Sequence, residues 1–259
     1  MPSNENFIAN ILKTRQSNRE FIDFLKKLNF SPRTIIDVGV ATGTPEIYGL
    51  NNEAFLALIE PIVEFNAMLE PILRRRNAHL YSCAAGAFDG QVEIWVTPDM
   101  TTSSLLVPMN ATEDALRRNV TCCRLDTLYN KHEWLAPFLL KIDTQGAELL
   151  VLEGAQEVLN HTEVVMLEVS LFPFSPGLPE FYEVVCYMKT CGFVVYDLFN
   201  GHNRPLDNAR GQVDVVFVKE NGIFREDSRW GTEEQCQEFL QCKFRNEVYQ
   251  KLNPHFSPD

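Results

Sequence analysis

Residues 34–44 read TIIDVGVATGT, and this stretch decides the fold. Its first half is a run of mostly apolar residues, and its second half is a loop that contains Gly39 and Gly43. The pattern predicts a buried strand that ends in a glycine-containing turn before a short helix. Glycines at such a junction allow a ligand to approach the backbone closely, although an ordinary tight turn of an α/β domain is the alternative. The spacing matches neither G-x-G-x-x-G nor G-x-x-x-x-G-K-S/T, which disfavours a pyrophosphate-binding loop.

Strand and helix patterns alternate beyond this stretch. Short apolar runs predict further strands at residues 55–59, 79–83, 138–142, 164–169, 192–198 and 213–218. Helical spacing is found at residues 62–73, 146–159 and 180–190. No helix separates the last two strands, so we expect them to pair antiparallel, because a parallel pair needs a longer crossover. We therefore predict a three-layer α/β sandwich around a seven-stranded, mostly parallel sheet with an antiparallel last strand.

The regular alternation is interrupted after the third predicted strand. Residues 84–86 read Ala-Ala-Gly and are expected to form a turn. Between Asp89 and Leu125, apolar residues alternate with polar ones and turn residues intervene, which predicts an inserted hairpin.

Both ends of the chain carry helical patterns. One amphipathic helix or two short ones are predicted between residues 4 and 28. A stripe of apolar residues at 232–252 predicts an amphipathic helix packed on the domain, with a dimerisation helix as the alternative. We therefore divide the chain into an N-terminal helical extension (1–32), an α/β domain (33–220) and a C-terminal helical extension (221–259).

Composition excludes several classes of protein. The chain has 259 residues with 45% hydrophobic content, which suits one large core. Its formal net charge of -12 argues against binding to nucleic acid, which depends on clustered Lys and Arg. No apolar stretch approaches the roughly 20 residues of a membrane helix, and residues 1–6 lack a signal-peptide pattern, so we expect a cytoplasmic protein without membrane insertion. The seven cysteines form no C-x-x-C pair and are expected to be free thiols.

Glu60 is the second feature that points to a ligand. It follows the predicted strand 55–59 and stands 21 residues after Gly39. A carboxylate at this point can accept hydrogen bonds from both hydroxyls of a ribose. Together with Asp37, it indicates a nucleoside that needs no phosphate site, and acidic residues are also compatible with a cationic sulfonium. A solvated carboxylate at a strand end is the alternative.

The run at residues 141–148, KIDTQGAE, begins at the carboxyl end of the fourth predicted strand, 138–142. Continued by Val151–Ala155, it resembles the signature of the FkbM-type methyltransferases. The resemblance extends over roughly residues 33–219, and further matching segments are Asp37–Gly39, Glu60-Pro61, Ser103–Leu105, Leu125-Asp126, Glu168 and Gln212–Phe217.

The resemblance implies a class I, Rossmann-like methyltransferase fold and S-adenosyl-L-methionine as the methyl donor. The residues then expected to bind this cofactor are Asp37, Gly39, Val40, Ala41, Gly43, Glu60, Pro61, Ala84, Ala85 and Asp143. The family's glycine loop usually reads D-x-G-A-N-x-G, whereas here Val40 and Ala41 replace the Ala-Asn pair. The segment around Ala84 and Ala85 also lacks the acid that many methyltransferases direct to the adenine amino group, so backbone atoms are expected to serve instead.

Methyl transfer from a sulfonium to a hydroxyl is an in-line displacement, for which positioning supplies most of the acceleration. An aliphatic hydroxyl also benefits from a general base, and Asp143 is the first candidate, with binding of the cofactor's amino group as its alternative role. Its neighbour Lys141 is a further candidate catalytic residue. Glu148 and Glu168 are the next candidates, although Glu148 can instead pair with Lys141 or cap its own helix. His202 is a further candidate base in a loop, where a histidine is often simply exposed. No metal is expected, since these acids show no recognisable ligand spacing.

The leading hypothesis is an S-adenosylmethionine-dependent O-methyltransferase that acts on a sugar or another small hydroxylated metabolite. Residues 171–176, rich in Phe and Pro, are expected to form a wall of the acceptor site, with core packing as the alternative. Two other functions remain open: a non-catalytic S-adenosylmethionine-binding module, and an NAD-dependent oxidoreductase. The missing G-x-G-x-x-G disfavours the oxidoreductase. No pattern in the sequence indicates an oligomeric state.

Overall fold

The computed structural model describes residues 14–107 and 116–241. Seven strands form the main sheet: β1 (Thr34–Val38), β2 (Phe55–Ile59), β3 (Ala78–Tyr81), β7 (Phe138–Ile142), β8 (Thr162–Ser170), β9 (Phe193–Phe199) and β10 (Gln212–Lys219). Their order is β3-β2-β1-β7-β8-β10-β9. All neighbours pair parallel except β10, which runs antiparallel to both β8 and β9. The predicted sheet, with its antiparallel last strand, is confirmed.

The interior strand β1 shows why these residues form a sheet covered on both faces. All five of its residues are buried. Side chains alternate between the faces of a strand, so Ile36 packs with Leu140 in one apolar cluster and Ile35 packs with Leu139 in another. A strand buried on both faces is rich in apolar residues, and β1 follows this pattern except at Thr34 and Asp37.

Helices cover the two faces of the sheet. They are α1 (Asn18–Lys27), α2 (Pro45–Tyr48), α3 (Asn66–Arg75, preceded by a 3₁₀ turn at Val63–Phe65), α4 (Leu125–His132), α5 (Glu148–Glu153), α6 (Gln156–Asn160) and α7 (Phe181–Thr190). Local sequence defines several helix starts: the Ser17 hydroxyl accepts a hydrogen bond from the Glu20 amide, and Glu180 forms a capping box with Glu183.

The single helix predicted at residues 146–159 is wrong, because the chain forms α5 and α6 with a break at Gly154. A Cβ on Gly154 would lie 2.0 Å from the carbonyl oxygen of Gly86, so the neighbouring backbone packs directly against this point. The carboxylate of Asp126 then caps α6, accepting hydrogen bonds from the amides of Glu157 (2.9 Å) and Val158 (3.0 Å). These long-range contacts are invisible to helical periodicity.

A second, three-stranded sheet holds the inserted segment. Its strands are β4 (Ala84–Ala85), β5 (Gly90–Val96) and β6 (Leu116–Cys123), in the order β4-β6-β5. The antiparallel pairing of β5 with β6 confirms the predicted hairpin. The predicted turn at residues 84–86 is wrong, because Ala84 and Ala85 pair parallel with Cys122 and Cys123 of β6. Pairing with a strand that lies almost 40 residues further along the chain overrides the local turn propensity here.

The chain divides into two compact units, one at Arg15–Phe224 and one formed by the chain ends, Met1–Thr14 with Arg225–Asp259. In the first unit, α1 packs against the sheet, with the ring centroids of Phe21 and Phe199 5.3 Å apart. In the second, residues 233–241 are helical. The remaining parts of the predicted terminal helices, 4–13 and 242–252, lie outside the described residues, and the division at residues 32 and 220 stays a prediction.

Within residues 14–107 and 116–241, no helix combines the length and the apolar character needed to cross a bilayer. The cysteines in these ranges are free thiols, as predicted: Cys83, Cys122, Cys123, Cys186, Cys191 and Cys236. Cys242 lies outside the described residues.

Substitution of Gly39 by alanine is expected to destabilise the fold by at least about 2 kcal/mol. Gly39 has φ +74°, a conformation that is strained for alanine, and a Cβ there would lie 1.9 Å from the carbonyl oxygen of Asp143. The strain and the clash both destabilise the folded state of the variant. Gly192→Ala is the matched control, because Gly192 has φ +81° with nothing within 4 Å of its Cβ position. Urea unfolding of both variants gives the comparison, and equal losses would show that the approach of Asp143 does not require Gly39.

Candidate functional site

The loops that follow β1 and β7 meet at the carboxyl edge of the sheet, where open α/β folds bind ligands. The Asp143 amide donates to the Val38 carbonyl (3.0 Å), and the Gly39 amide donates to the Ile59 carbonyl (3.0 Å). We expected Gly39 to leave space for a ligand, but its missing side chain first of all accommodates the Asp143 backbone. The glycine therefore brings the two loops together.

A cavity opens beside these loops, and we name it the strand-end cavity. Seven of the predicted cofactor-binding residues line it: Gly39, Ala41, Glu60, Pro61, Ala84, Ala85 and Asp143. Apolar side chains form much of the remaining wall, among them Ile62, Phe65, Ile94, Met100 and Leu105. The cavity thus combines a few polar groups with an apolar surface, as is usual for sites of organic ligands.

Three predicted cofactor-binding residues do not line this cavity. Val40 is buried in the apolar cluster that also contains Tyr48. A Cβ on Gly43 would lie 2.6 Å from the Ile72 side chain, so this glycine serves packing against α3. Asp37 is fully buried beneath the loop. We interpret these residues as supports of the loop.

Glu60 is the buried carboxylate of the strand-end cavity, only 4% exposed. One of its oxygens accepts a hydrogen bond from the Ala41 amide (2.8 Å), and the other accepts one from the Ile62 amide (2.9 Å). Burial raises the pKa of Glu60 above its ordinary value, and the two amides oppose this shift. Each oxygen of a carboxylate can accept a further hydrogen bond, so Glu60 retains acceptor capacity toward the cavity. It is therefore more than the solvated strand-end carboxylate considered as the alternative.

Lys141 lies between two carboxylates at the end of β7. Its ammonium nitrogen is 3.5 Å from Asp37 Oδ1 and 3.3 Å from Asp143 Oδ2, and Tyr48 Oη donates to Asp37 Oδ2 at 2.6 Å. Burial alone would lower the pKa of Lys141, but Asp37 and Asp143 outweigh it and raise that pKa overall. Lys141 therefore stays charged and orients Asp143, which supports a positioning role over proton transfer.

A polar cleft lies on the other side of Asp143. The residues that line it include Lys141, Asp143, Glu168, Asn200, His202 and Asp214. Asp143 lines both this cleft and the strand-end cavity. His202 lies in the loop before β10 and is exposed. Four of the five predicted catalytic residues therefore share this cleft: Lys141, Asp143, Glu168 and His202.

Gln145 connects the two carboxylates and is the residue that sequence reasoning missed. Its side-chain nitrogen donates to Asp143 Oδ1 (2.9 Å) and to Glu168 Oε2 (2.7 Å). The backbone of Gln145 has φ +54°, an uncommon conformation for a residue other than glycine, and such strain is frequent at functional sites. The available signal was its position inside the run 141–148, between the candidate base and Gly146.

Glu148 occupies a different environment from the other acids. It is buried, and its Oε1 accepts hydrogen bonds from the amides of Thr144 (3.0 Å) and Gly146 (3.0 Å). It lines neither the strand-end cavity nor the polar cleft. Glu148 thus holds the loop before its own helix, a role different from the pairing with Lys141 and the helix cap considered for it, and these contacts do not support a catalytic role. Its Oε1 in this way fixes the backbone around Gln145.

Glu168 has the most perturbed carboxyl group of the polar cleft. Burial, followed by the charges of Asp143 and Asp214, raises its pKa to about 8. The hydrogen bond from Gln145 opposes the shift. A carboxyl group with this pKa is partly ionised at neutral pH and can exchange protons there.

Glu168→Gln is expected to stabilise the protein in alkaline solution. The pKa of Glu168 is raised from 4.5 to about 8 in the folded state, so the folded protein binds this proton more tightly than the unfolded chain does. The stability gained from this difference is complete below pH 4.5 and is lost as the pH rises through 8. Removing the group should therefore raise the free energy of unfolding by about 2–4 kcal/mol more at pH 9 than at pH 5. Urea unfolding at both values measures this difference. Glu163→Gln on the same strand, where Glu163 pairs with Lys219 at 3.2 Å, is the control and should show no such gain.

A third concavity, the apolar cleft, adjoins the polar cleft at His202, which lines both. Its apolar residues include Leu106, Phe174, Leu178, Pro205 and Leu206, and Gln145 and Gln212 also line it. Phe174 and Ser175 come from the segment 171–176 and line this cleft, while the expected role of the segment as a wall of the acceptor site stays a prediction.

Ser104, from the resembling segment Ser103–Leu105, connects the insertion to the loop after β7. Its hydroxyl lies 2.8 Å from the Gln145 carbonyl oxygen and accepts a hydrogen bond from the Leu106 amide (3.0 Å).

Among residues 14–107 and 116–241, no group of three or more His, Cys, Asp or Glu side chains could hold a metal ion.

Comparison with solved structures agrees with this architecture. The structure of methyltransferase FkbM from Methylobacillus flagellatus KT matches with a TM-score of 0.50 and 16% identity, over 78% of this chain and 48% of that chain. This chain thus spans about half the length of that relative. Fibrillarin from Aeropyrum pernix, in complex with natively bound S-adenosyl-L-methionine, matches with a TM-score of 0.43 and 13% identity, over 77% of this chain and 74% of that chain.

The fold is that of the class I methyltransferases. No curated protein matches the sequence significantly. The family model of the methyltransferase FkbM domain matches residues 44–195, more than half of the chain. The chain therefore belongs to the FkbM methyltransferase family.

Proposed function

We propose that this protein is an S-adenosylmethionine-dependent O-methyltransferase that acts on a hydroxyl of a sugar or another small hydroxylated metabolite. The observation that carries the proposal is the position of Asp143, which lines both the strand-end cavity and the polar cleft. One carboxylate thus lies between a cavity suited to a nucleoside and a cleft suited to a hydroxylated molecule. The net charge of -12 supports a small acceptor rather than a nucleic acid, and we propose a cytoplasmic location.

The side chains and backbone atoms that line the strand-end cavity suit S-adenosylmethionine, which supplies an activated methyl group when bound. Glu60 would hold the ribose hydroxyls, because each of its oxygens accepts one backbone hydrogen bond and has capacity for another. Ile62 and Phe65 offer apolar surface to the adenine, and Ala84 and Ala85 offer backbone atoms. No lysine or arginine lines the described cavity, which agrees with a nucleoside that carries no phosphate.

Asp143 is the group that we propose to accept the proton of the acceptor hydroxyl. Lys141 and Gln145 each contact one of its oxygens, so the carboxylate is held from two sides. Glu168 lies on the far side of Gln145. When Glu168 loses its proton near pH 8, the surroundings of Asp143 gain one negative charge. Holding both groups in place before the reaction reduces the reorganisation that the transfer step requires.

Calorimetric titration with S-adenosylhomocysteine, followed by a transfer assay, tests the proposal. We expect saturable binding, and transfer of a deuterated methyl group from S-adenosylmethionine to a member of a panel of sugars and hydroxylated metabolites, detected by mass spectrometry. Binding without transfer to any panel member would favour the non-catalytic binding module. A folded protein that binds neither S-adenosylhomocysteine nor S-adenosylmethionine would overturn the proposal.

A further inference from the structure

The apolar cleft is not part of the proposed binding site for the methyl donor. Its volume of about 740 Å³ falls within the range of ligand-binding pockets. Leu206 on its rim is 83% exposed, although burial of a leucine side chain is favourable by about 1.5–3 kcal/mol. Exposed apolar surface around a concavity of this size is typical of a ligand-binding site.

The apolar cleft lies directly against the loop that carries the acid pair. A Cβ on Gly146 would lie 2.3 Å from Leu178 Cδ1 and 3.1 Å from Leu106 Cδ1, so both leucines pack on this glycine. The preceding residue, Gln145, lines the cleft and donates to both Asp143 and Glu168. An apolar group in the cleft would therefore lie against Gln145, which contacts the proposed proton acceptor.

The charged side chains of the described cleft lining offer little to an ionic ligand. Arg204 forms two hydrogen bonds with Asp207 (2.8 and 2.5 Å), and its guanidinium lies 3.9 Å from the centroid of the Phe172 ring. Asp99 accepts hydrogen bonds from Thr97 (2.7 Å) and Thr102 (3.0 Å). The charge of Arg204 is compensated by Asp207, and Asp99 already accepts hydrogen bonds from two hydroxyls, so an uncharged group suits this cleft best.

We infer that the acceptor is amphipathic, with a hydroxylated head in the polar cleft and an uncharged, apolar body in the apolar cleft. The two clefts meet at His202, so one molecule can occupy both. The inference rests on the proposed function and narrows its acceptor class from small hydroxylated metabolites to those with an apolar body of several carbons. A free sugar would leave the apolar cleft filled only with water.

A series of alkyl β-D-glucopyranosides, from methyl to octyl, tests the inference, since all carry the same uncharged head. Calorimetric titrations are run below the micelle concentration with S-adenosylhomocysteine present. We expect the affinity to rise by about fourfold for each methylene that enters the cleft, which corresponds to about 0.8 kcal/mol. An affinity that is independent of chain length, or a failure of every glycoside to bind, would overturn the inference.

Two substitutions locate the effect in the apolar cleft. Leu178→Ser and Leu206→Ser should each flatten the dependence on chain length, so that octyl glucoside loses far more affinity than methyl glucoside does. Leu198→Ser is the matched control, because Leu198 is 45% exposed on β9 and does not line the cleft. A dependence on chain length that survives both cleft substitutions would contradict an apolar body bound in this cleft.

The affinity for S-adenosylhomocysteine, measured in the same samples, distinguishes a failure of the proposed function from a failure of the amphipathic acceptor. Loss of this binding in the wild-type protein would remove the proposed function. Normal binding of S-adenosylhomocysteine combined with no dependence on alkyl length would remove only the amphipathic acceptor.

Discussion

Glu60→Gln is expected to weaken the binding of S-adenosylhomocysteine by at least about 100-fold. A carboxylate forms charge-assisted hydrogen bonds, each worth about 1.5–3 kcal/mol, and a ribose offers two hydroxyls. Two such bonds amount to about 3 kcal/mol or more, which corresponds to more than a 100-fold change in affinity. Glutamine retains one acceptor oxygen but presents an amide nitrogen in place of the other.

The same substitution also removes a support of the loop after β1. Glu60 accepts hydrogen bonds from the amides of Ala41 and Ile62, and glutamine can satisfy both only if its single oxygen is shared. Calorimetry is therefore combined with thermal unfolding, so that loss of the ligand is distinguished from loss of the fold. Glu64→Gln is the control four residues further along, where Glu64 is exposed and pairs with Arg118. If Glu60→Gln bound as tightly as Glu64→Gln, Glu60 would not contact the ligand.

Asp143→Asn is expected to slow methyl transfer by about 10²–10⁴-fold, the usual effect of losing a general base. Asparagine keeps the size of the side chain and an oxygen for the hydrogen bond from Gln145, but it cannot accept a proton at neutral pH. The measurement is a single-turnover assay with the acceptor that the panel identifies. The affinity for S-adenosylhomocysteine should change much less than the rate.

This comparison also separates the two roles considered for Asp143. A carboxylate that held the amino group of the cofactor would lose affinity for S-adenosylhomocysteine when converted to the amide, and the transfer rate at saturation would change little. Asp23→Asn on the exposed surface of α1 removes the same charge elsewhere and should affect neither quantity. A normal single-turnover rate in Asp143→Asn would exclude Asp143 as the base.

Much of the candidate site was predictable, because strand ends can be found in a sequence. Glu60 follows the apolar run 55–59, and Asp143 follows the run 138–142. The carboxyl ends of parallel strands lie along one edge of a sheet, so the two acids were expected near each other, and both line the strand-end cavity. Lys141 was expected beside Asp143, and its contact with Asp37 appeared only in the structure.

The sequence by itself determined which segments become strands of the main sheet and where they lie along the chain, since apolar periodicity is a local property of the chain. Only the tertiary structure decided which polar atoms meet. Gln145 bridges Asp143 and Glu168 because two loops separated along the chain converge at one edge of the sheet. The raised pKa of Glu168 likewise depends on burial and on neighbouring charges from other strands. Such contacts join residues distant in the chain, and no local pattern encodes their distances.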